Sequence, residues 1–245
     1  MRAAAIAANA FDPHSQPVAS PFVSAWLADL KYSWAGMTEG TRTLSLKKDQ
    51  VLFHQGQSAQ AVYVIEEGRV RLSSFSLDGR ERHLMILGSH GLVGDCGWPH
   101  SERYTVSALA SSEVRLRVVD MPRFSAALSE QPLLTQQHRE LSSRRLCVLL
   151  QQLELQAHNS AGRRICHHLL GLLHAYGSPL QQGGLRIGIS FTQQEMGNIC
   201  GLSRVSVAYV FSRLERQGVI ARQQRHLIVL RPDQLEREAG GLGEP

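Results

Sequence analysis

Phe191-Thr-Gln-Gln-Glu-Met-Gly-Asn-Ile-Cys-Gly-Leu-Ser-Arg-Val-Ser-Val-Ala-Tyr-Val-Phe-Ser-Arg-Leu-Glu-Arg-Gln-Gly218 decides the fold of the C-terminal part of the chain. Thr192, followed three residues later by Glu195, forms a capping box that opens a short helix. Its hydroxyl and carboxylate can each satisfy a backbone amide that the helix start leaves orphaned. Met196 and Ile199 then point inward. Gly201 can take the positive φ that a sharp inter-helix turn demands, and Ser203 is the next N-cap. Val207, Val210, Phe211 and Leu214 follow at helical spacing as a buried stripe, with Arg204, Ser206, Tyr209 and Arg213 largely on the other side. Gly218 ends this second helix. Two β-like runs, Val219-Ile-Ala221 and Leu227-Ile-Val-Leu230, flank the polar loop Arg222-Gln-Gln-Arg-His226 and predict a hairpin wing. The pattern is that of a winged helix-turn-helix, which lays its second helix in the DNA major groove.

Charge agrees with that reading. From Gly201 to Arg231 there are six arginines against one acid, Glu215, an excess equal to the +5 of the whole chain. Phosphate neutralisation needs such a concentrated basic patch. The residues expected at DNA are Thr192, Gln193, Ser203, Arg204, Val205, Ser206, Tyr209 and Arg213. The bland alternative is a small helical packing unit with a solvated basic face. The cap, turn glycine, basic face and wing together argue against it.

The chain has 245 residues, enough for one large or two modest domains. It has no apolar run of about 18 residues, so no membrane span is expected. Residues 1–22 hold Pro13, Pro17 and Pro21 and read as a loose arm, and 236–245 as a frayed tail. The four cysteines (Cys96, Cys147, Cys166, Cys200) lie far apart, which gives no support to zinc or to a cysteine-bound iron–sulfur cluster. The last three sit in apolar helical settings, where buried inert thiols are expected, and the set suits a reducing cytoplasm. The chain lacks Gly-x-Ser-x-Gly, a phosphate-binding loop, His-Glu-x-x-His and convincingly paired carboxylates, so no enzyme is indicated.

Upstream the texture changes. Between about 42 and 120, short β-like runs alternate with glycine turns: Val62-Tyr-Val-Ile65, Val70-Arg-Leu72, His83-Leu-Met-Ile-Leu87, Thr105-Val-Ser-Ala-Leu109 and Val114-Arg-Leu-Arg-Val-Val119. They predict a β-barrel or roll. After Met121-Pro122 a short helix (about 122–129) and a long one (about Pro132 to Ala157) are expected. Leu134, Leu141, Val148 and Leu155 recur at intervals of seven, and Leu146, Leu149, Leu150 and Leu153 form a second set. A helix with two apolar faces needs two things to pack on: the roll, and the same helix of a second copy. The seven-residue series is assigned to that dimer seam. Two recognition helices about 34 Å apart would then read a palindromic operator. The fold class is α+β, an N-terminal roll (23–130), a dimerisation helix (131–158) and a winged helix (159–235).

In this order, Phe53-His-Gln-Gly56, Tyr63-Val-Ile-Glu-Glu-Gly-Arg-Val70, Asp78-Gly-Arg-Glu81, Leu87-Gly88, Gly94-Asp95, Ala161-Gly-Arg-Arg-Ile165 and the opening stretch make the chain resemble the cyclic-AMP receptor protein and fumarate-nitrate reduction regulator (Crp/Fnr) family of bacterial transcription factors. The resemblance covers roughly 42–231. It implies a homodimer, a sensory roll like a cyclic-nucleotide-binding jelly roll, and a winged helix that recruits or blocks RNA polymerase.

The sensory segment departs from the family. Where nucleotide-binding members place a ribose-binding glutamate this chain has Asp95. In register with the family strand, the phosphate-binding arginine becomes Glu102, followed by Arg103 and Tyr104, although a one-residue gap restores Arg103. The base-contacting Thr-Ser pair falls at Leu149 and Leu150. A purine's polar edge against those leucines would go unpaired at about 1–3 kcal/mol per group, which disfavours cyclic AMP. The expected effector pocket comprises Gly94, Asp95, Arg103, Tyr104, Leu149 and Leu150. A haem would draw its axial ligands from His83, His90, Cys96 or His100, against the alternative that these are polar loop residues. A small apolar effector near Leu149, Leu150 and Trp98, or none, are the other readings. In the recognition helix the family's Arg-Glu-Thr-Val-Gly-Arg becomes Arg204-Val-Ser-Val-Ala-Tyr209. Arg204 keeps a bidentate contact to guanine, Val205 could touch a thymine methyl, and Ser206 and Arg213 are assigned to phosphate. The segment Ala157-His-Asn-Ser-Ala-Gly162 is the expected hinge.

Overall fold

The computed structural model describes residues 23–240 except 29, 182 and 225. The expected arm, 1–22, and the end of the tail, 241–245, lie outside the described residues. The segment Trp26–Leu27 (β1) is followed by a helical turn, Ala35–Thr38 (α1). The roll then runs β2 (Thr43–Leu46), β3 (Val51–Phe53), β4 (Ala61–Glu67), β5 (Val70–Phe75), β6 (Glu81–Leu87), β7 (Leu92–Val93), β8 (Ser107–Ala110) and β9 (Val114–Asp120). These strands form two sheets, ordered β1-β6-β5-β8-β3 and β2-β9-β4-β7. Their inward residues, among them Val62, Ile65, Leu72, Leu87, Leu92, Leu116 and Val119, make the roll's core. Gly68, between β4 and β5, has φ 84°, and a Cβ there would strike the Glu113 carbonyl, so only glycine closes that turn without displacing β9.

The expectation of a roll is therefore met, with one addition. Trp26 and Leu27 pair in parallel with Ile86 and Leu87 of β6, an edge strand that the sequence reading did not place.

Helix α2 (Met121–Glu130) is capped by Asp120, whose carboxylate accepts from the Arg123 amide at 2.8 Å. Helix α3 (Pro132–His158) starts on a proline, which suits a helix's first position. At 1.5 Å per residue its 27 residues span about 40 Å. Its buried residues are Leu134, Gln137, Leu141, Arg145, Val148, Gln152 and Leu155, at spacings of three or four. This corrects the dimer assignment. Leu134, Leu141, Val148 and Leu155 face the chain's own interior, and it is Leu133, Leu146, Leu150 and Leu153 that stand exposed. The reason lies in the polar members of the buried stripe. Gln137 exchanges hydrogen bonds with the Ser33 backbone (2.7 and 2.8 Å), Gln152 donates to the Leu84 carbonyl, and Arg145 to the Leu92 carbonyl. Leu84 and Leu92 belong to β6 and β7, and Ser33 to the segment between β1 and α1, so the long helix turns this face to the roll.

The chain breaks at Asn159, in extended conformation, and Ser160 caps α4 (Ala161–Tyr176). The break between the two helices, Asn159 and Ser160, falls within the segment 157–162 expected to act as a hinge. Strands β10 (Gly177–Pro179), β11 (Leu185–Ile187), β12 (Ile220–Gln223) and β13 (His226–Val229) form one sheet ordered β10-β11-β13-β12. The wing hairpin is its β12–β13 edge, and β10 and β11 are additions. Helices α5 (Gln193–Cys200) and α6 (Arg204–Arg216) lie between, and α7 (Pro232–Glu238) closes the unit. The tail expected to fray from Glu236 is helical through Glu238, because Leu235 is buried and Glu238 pairs with Arg213. No helix among the described residues is long and apolar enough to cross a membrane.

Candidate nucleic-acid interface

The capping box at α5 is complete. The Thr192 hydroxyl accepts from the Glu195 amide (3.0 Å), and the Glu195 carboxylate accepts from the Thr192 amide (2.6 Å). Gly201 sits at φ 64°, ψ 45°, the left-handed conformation that ends α5 and redirects the chain. Ser203 caps α6, its hydroxyl accepting from the Ser206 amide at 3.0 Å, and the two serine hydroxyls lie 2.9 Å apart. Met196, Ile199, Val207, Val210, Phe211 and Leu214 are buried.

The outward face of α6 carries Arg204, Val205 and Tyr209. Val205 is 78% and Tyr209 69% exposed, an unusual degree for large side chains on a folded helix. Ser206 is half-buried beside them. Next to this face a cleft of about 770 Å³ lies between the start of α5 and the wing, lined by Lys48, Thr192, Gln193, Arg204, Arg222 and His226 among others. None of the described residues lining it is acidic, and Lys48, Arg204 and Arg222 bring three cations to its wall, of which Lys48 and Arg222 pair with Glu195 and Glu215. Arg222 is steadied there by Glu215 at 2.8 Å and by the Phe211 ring.

Arg213 needs correcting. It was expected at phosphate, but its guanidinium pairs with Glu238 of α7 at 2.8 Å and stands against the start of α4. It bonds α6 to the unit's own frame.

The DNA unit is docked on the roll. Helix α5 lies against β6: the Asn198 amide is 3.5 Å from Glu81 and 3.4 Å from the His83 ring. Arg82 donates to the Asn198 carbonyl (3.4 Å) and to Gln152 (3.0 Å), and Lys48 pairs with Glu195 at 2.9 Å. Burial would raise the Glu81 pKa, but bonds from His83, Arg71 and Ser73 outweigh it and hold the carboxyl at about 2.

The expected effector-pocket residues do not share one cavity. Asp95 is buried and pairs with Arg145 (2.8 Å) and His138 (3.0 Å) of α3. Burial acts to raise its pKa, yet these two partners keep it at about 2. Tyr104 is also buried, stacked on Phe53 at 3.7 Å with its hydroxyl donating to the Ala61 carbonyl (2.7 Å). Burial pushes its pKa up. Gly94 lies against Ala61 and the Tyr104 ring. Arg103 is on the surface, donating to the Gly56 carbonyl at 2.7 Å. Leu149 is half-buried against the core, whereas Leu150 is 56% exposed. The single pocket fails because the aspartate and the tyrosine are engaged in separate buried contacts while Arg103 and Leu150 face solvent.

The haem candidates stand in different settings. His83 is buried against α5 rather than in a loop. The His90 backbone carbonyl accepts from the Trp34 indole at 2.8 Å. No cluster of three or more metal-ligating side chains occurs among the described residues. Cys166 and Cys200 are buried, burial pushing each thiol up to about 12, but Cys147 is exposed, contrary to expectation, since it lies on the uncovered side of α3.

A β-roll joined by a long helix to a winged helix-turn-helix is the build of a two-domain transcription regulator. Known proteins agree. Residues 163–238 match the Crp-like helix-turn-helix domain and 43–131 the cyclic nucleotide-binding domain. The chain is 30% identical to the transcriptional activator protein Anr of Pseudomonas protegens, over 81% of each chain. It is also 30% identical to the cyclic AMP receptor protein of Thermus thermophilus, over 69% of this chain and 74% of the other. In fold it is similar to a mutant of CooA from Carboxydothermus hydrogenoformans, with a TM-score of 0.75 at 16% identity over 89% of this chain and 99% of that one. The chain belongs to the Crp/Fnr family of transcription factors.

Proposed function

We propose that this regulator acts as a homodimer that sets two copies of α6 into successive major grooves of a palindromic operator and thereby recruits or blocks RNA polymerase. The observation that carries the reading is the uncovered α6 face, Arg204, Val205 and Tyr209, beside the basic cleft. Arg204 reads one guanine through its two-pronged donor set, and Val205 packs on a thymine methyl. Tyr209 lacks the arginine fork, so the preferred half-site differs from TGTGA. Thr192, Gln193 and Ser206 stand where α5 and α6 begin, and helix starts favour phosphate. Ser203 supports this site as a cap.

The dimer seam is the exposed face of α3, with Leu146, Leu150 and Leu153 meeting their copies. The effector is not cyclic AMP. Asp95 is already bonded to Arg145 and His138, and Leu149 and Leu150 offer no partner to a purine. Selection from random DNA followed by gel shifts across a salt series tests the reading. A palindrome with one specified guanine per half-site and a steep salt dependence is expected. TGTGA-N6-TCACA as the selected site, or no preference over random competitor, would overturn it.

A further inference from the structure

The roll grips α5 at two points one helical turn apart. Lys48, in the turn between β2 and β3, pairs with Glu195 at 2.9 Å. The Asn198 amide lies 3.5 Å from the Glu81 carboxylate, and the Asn198 carbonyl accepts from Arg82 at 3.4 Å. Residues three apart share one face of a helix, so one side of α5 is held. A single side chain sets both grips. The Arg71 guanidinium, only 6% exposed, donates to Glu81 at 2.8 Å and to Asp49 at 2.9 Å. Asp49 directly follows Lys48 and sits at φ 68°, a left-handed conformation uncommon outside glycine. The buried arginine thus fixes the turn that carries Lys48 and the strand end that carries Glu81.

This grip brings the β5–β6 hairpin beside the recognition helix. A cleft of about 1020 Å³ lies between residues 74–82 and the α5–α6 turn, with Ser76, Asp78, Ser203 and Arg204 on its wall. Gln194 and Arg204 also line the cleft beside the wing, so the two clefts meet at Arg204. A helix seated in a major groove has a phosphate strand on either side. On the wing side of Arg204 lies the cleft with Lys48 and Arg222, and on the other stands the hairpin. The outer face of α6 is uncovered, so the hairpin obstructs the flank of the helix and not its reading face.

We propose that the Lys48–Glu195 and Arg82–Asn198 contacts form an autoinhibitory latch, which keeps the hairpin where one phosphate strand of the operator must pass. Released, the DNA unit turns about Asn159–Ser160 and binds. The bonds to Asn198 are long, and each holds the docked state by a factor of about two to ten, a grip that a modest signal can undo. The inhibitory role rests on the regulator reading. The grip itself does not.

Hydrogen exchange of the full chain without DNA reads the grip, and gel shifts on an operator selected from random DNA read its consequence. Arg82→Ala and Asn198→Ala change residues outside the set assigned to DNA. Each speeds exchange of the α5 amides while the melting transition is kept, and the double variant binds the operator about tenfold more tightly. The sign is diagnostic. Arg82→Ala removes a cation, which by charge alone weakens binding to DNA, so tighter binding reports release. Unchanged exchange in both variants would overturn the latch. Faster exchange with operator affinity unchanged or lowered would overturn its inhibitory role. If neither wild-type protein nor variants prefer any operator, the DNA reading fails and the inhibitory role with it, and exchange still decides the grip.

Discussion

Replacing Arg145 by methionine should destabilise the protein more than removing any exposed charge. Arg145 lies on the buried face of α3, donating to Asp95 at 2.8 Å and to the Leu92 carbonyl. Asp95 is 3% exposed, and His138 is its other partner. Without the guanidinium, a carboxylate is left in a nearly water-free site. Breaking a buried pair from one side costs about 3–5 kcal/mol. Arg145 and His138 hold the Asp95 carboxyl below its usual range, at about 2, against the opposing effect of burial, so the folded state favours the charged form.

Because the folded pKa is depressed, this contribution is complete above pH 4. It is lost as pH falls through about 2. Urea unfolding followed by tryptophan fluorescence, at one fixed protomer concentration, measures the loss at pH 7. Arg145→Met should cost about 3–5 kcal/mol. Asp95→Leu combined with Arg145→Met should recover most of it, since the double variant leaves no unpaired charge. A cost below about 1 kcal/mol, or strict additivity of the two changes, would refute the argument that this pair fastens the long helix to the roll.

Leu150→Lys, on the exposed face of α3, should shift the protein from dimer to monomer in sedimentation equilibrium and abolish tight binding to a two-half-site operator. Leu141→Ala should instead cost about 2–5 kcal/mol in urea unfolding, because it opens a cavity inside the chain. Arg204→Ala should lose about 1–3 kcal/mol of discrimination at one base pair, read by competition gel shifts with single-base operator variants. Arg213→Ala should lower the melting temperature and leave the salt slope of DNA binding unchanged, as its guanidinium is held by Glu238. His168 of α4 is buried, and burial, with help from nearby cations, depresses its pKa to about 3. The unfolded chain therefore takes up a proton that the folded chain refuses, and stability falls as pH drops from 6.5 toward 3. His168→Leu should flatten that part of the pH–stability curve.

The helix-turn-helix was legible because its signals are local. Thr192 with Glu195, Gly201, Ser203 and the Val207–Leu214 stripe each need only a few neighbours to act, and all of them act as read. Strand β1 was not legible. Two residues, Trp26 and Leu27, carry no period, and they are strand only because β6 offers a free edge. Arg213 failed for a similar reason. Its partner, Glu238, lay in a segment read as a frayed tail, so the basic side chain was left without its acid and went to phosphate by default.

The long helix shows most plainly what a hydrophobic pattern omits. The series Leu134, Leu141, Val148 and Leu155 repeats every seven residues, which by itself fits a coiled-coil seam as well as a core stripe. The residues that break the tie are polar. Gln137, Arg145 and Gln152 fall between the apolar positions on the same face, and against an identical helix each would be buried opposite its own copy, two arginines among them. Against a roll they find carbonyls and a carboxylate from Ser33, Leu92, Asp95 and Leu84. A buried polar stripe is tolerable only where fixed acceptors already wait, and the backbone beside a sheet supplies them where a mirrored helix cannot. The same logic frees Leu146, Leu150 and Leu153 for a partner, since that face asks for nothing except another apolar surface.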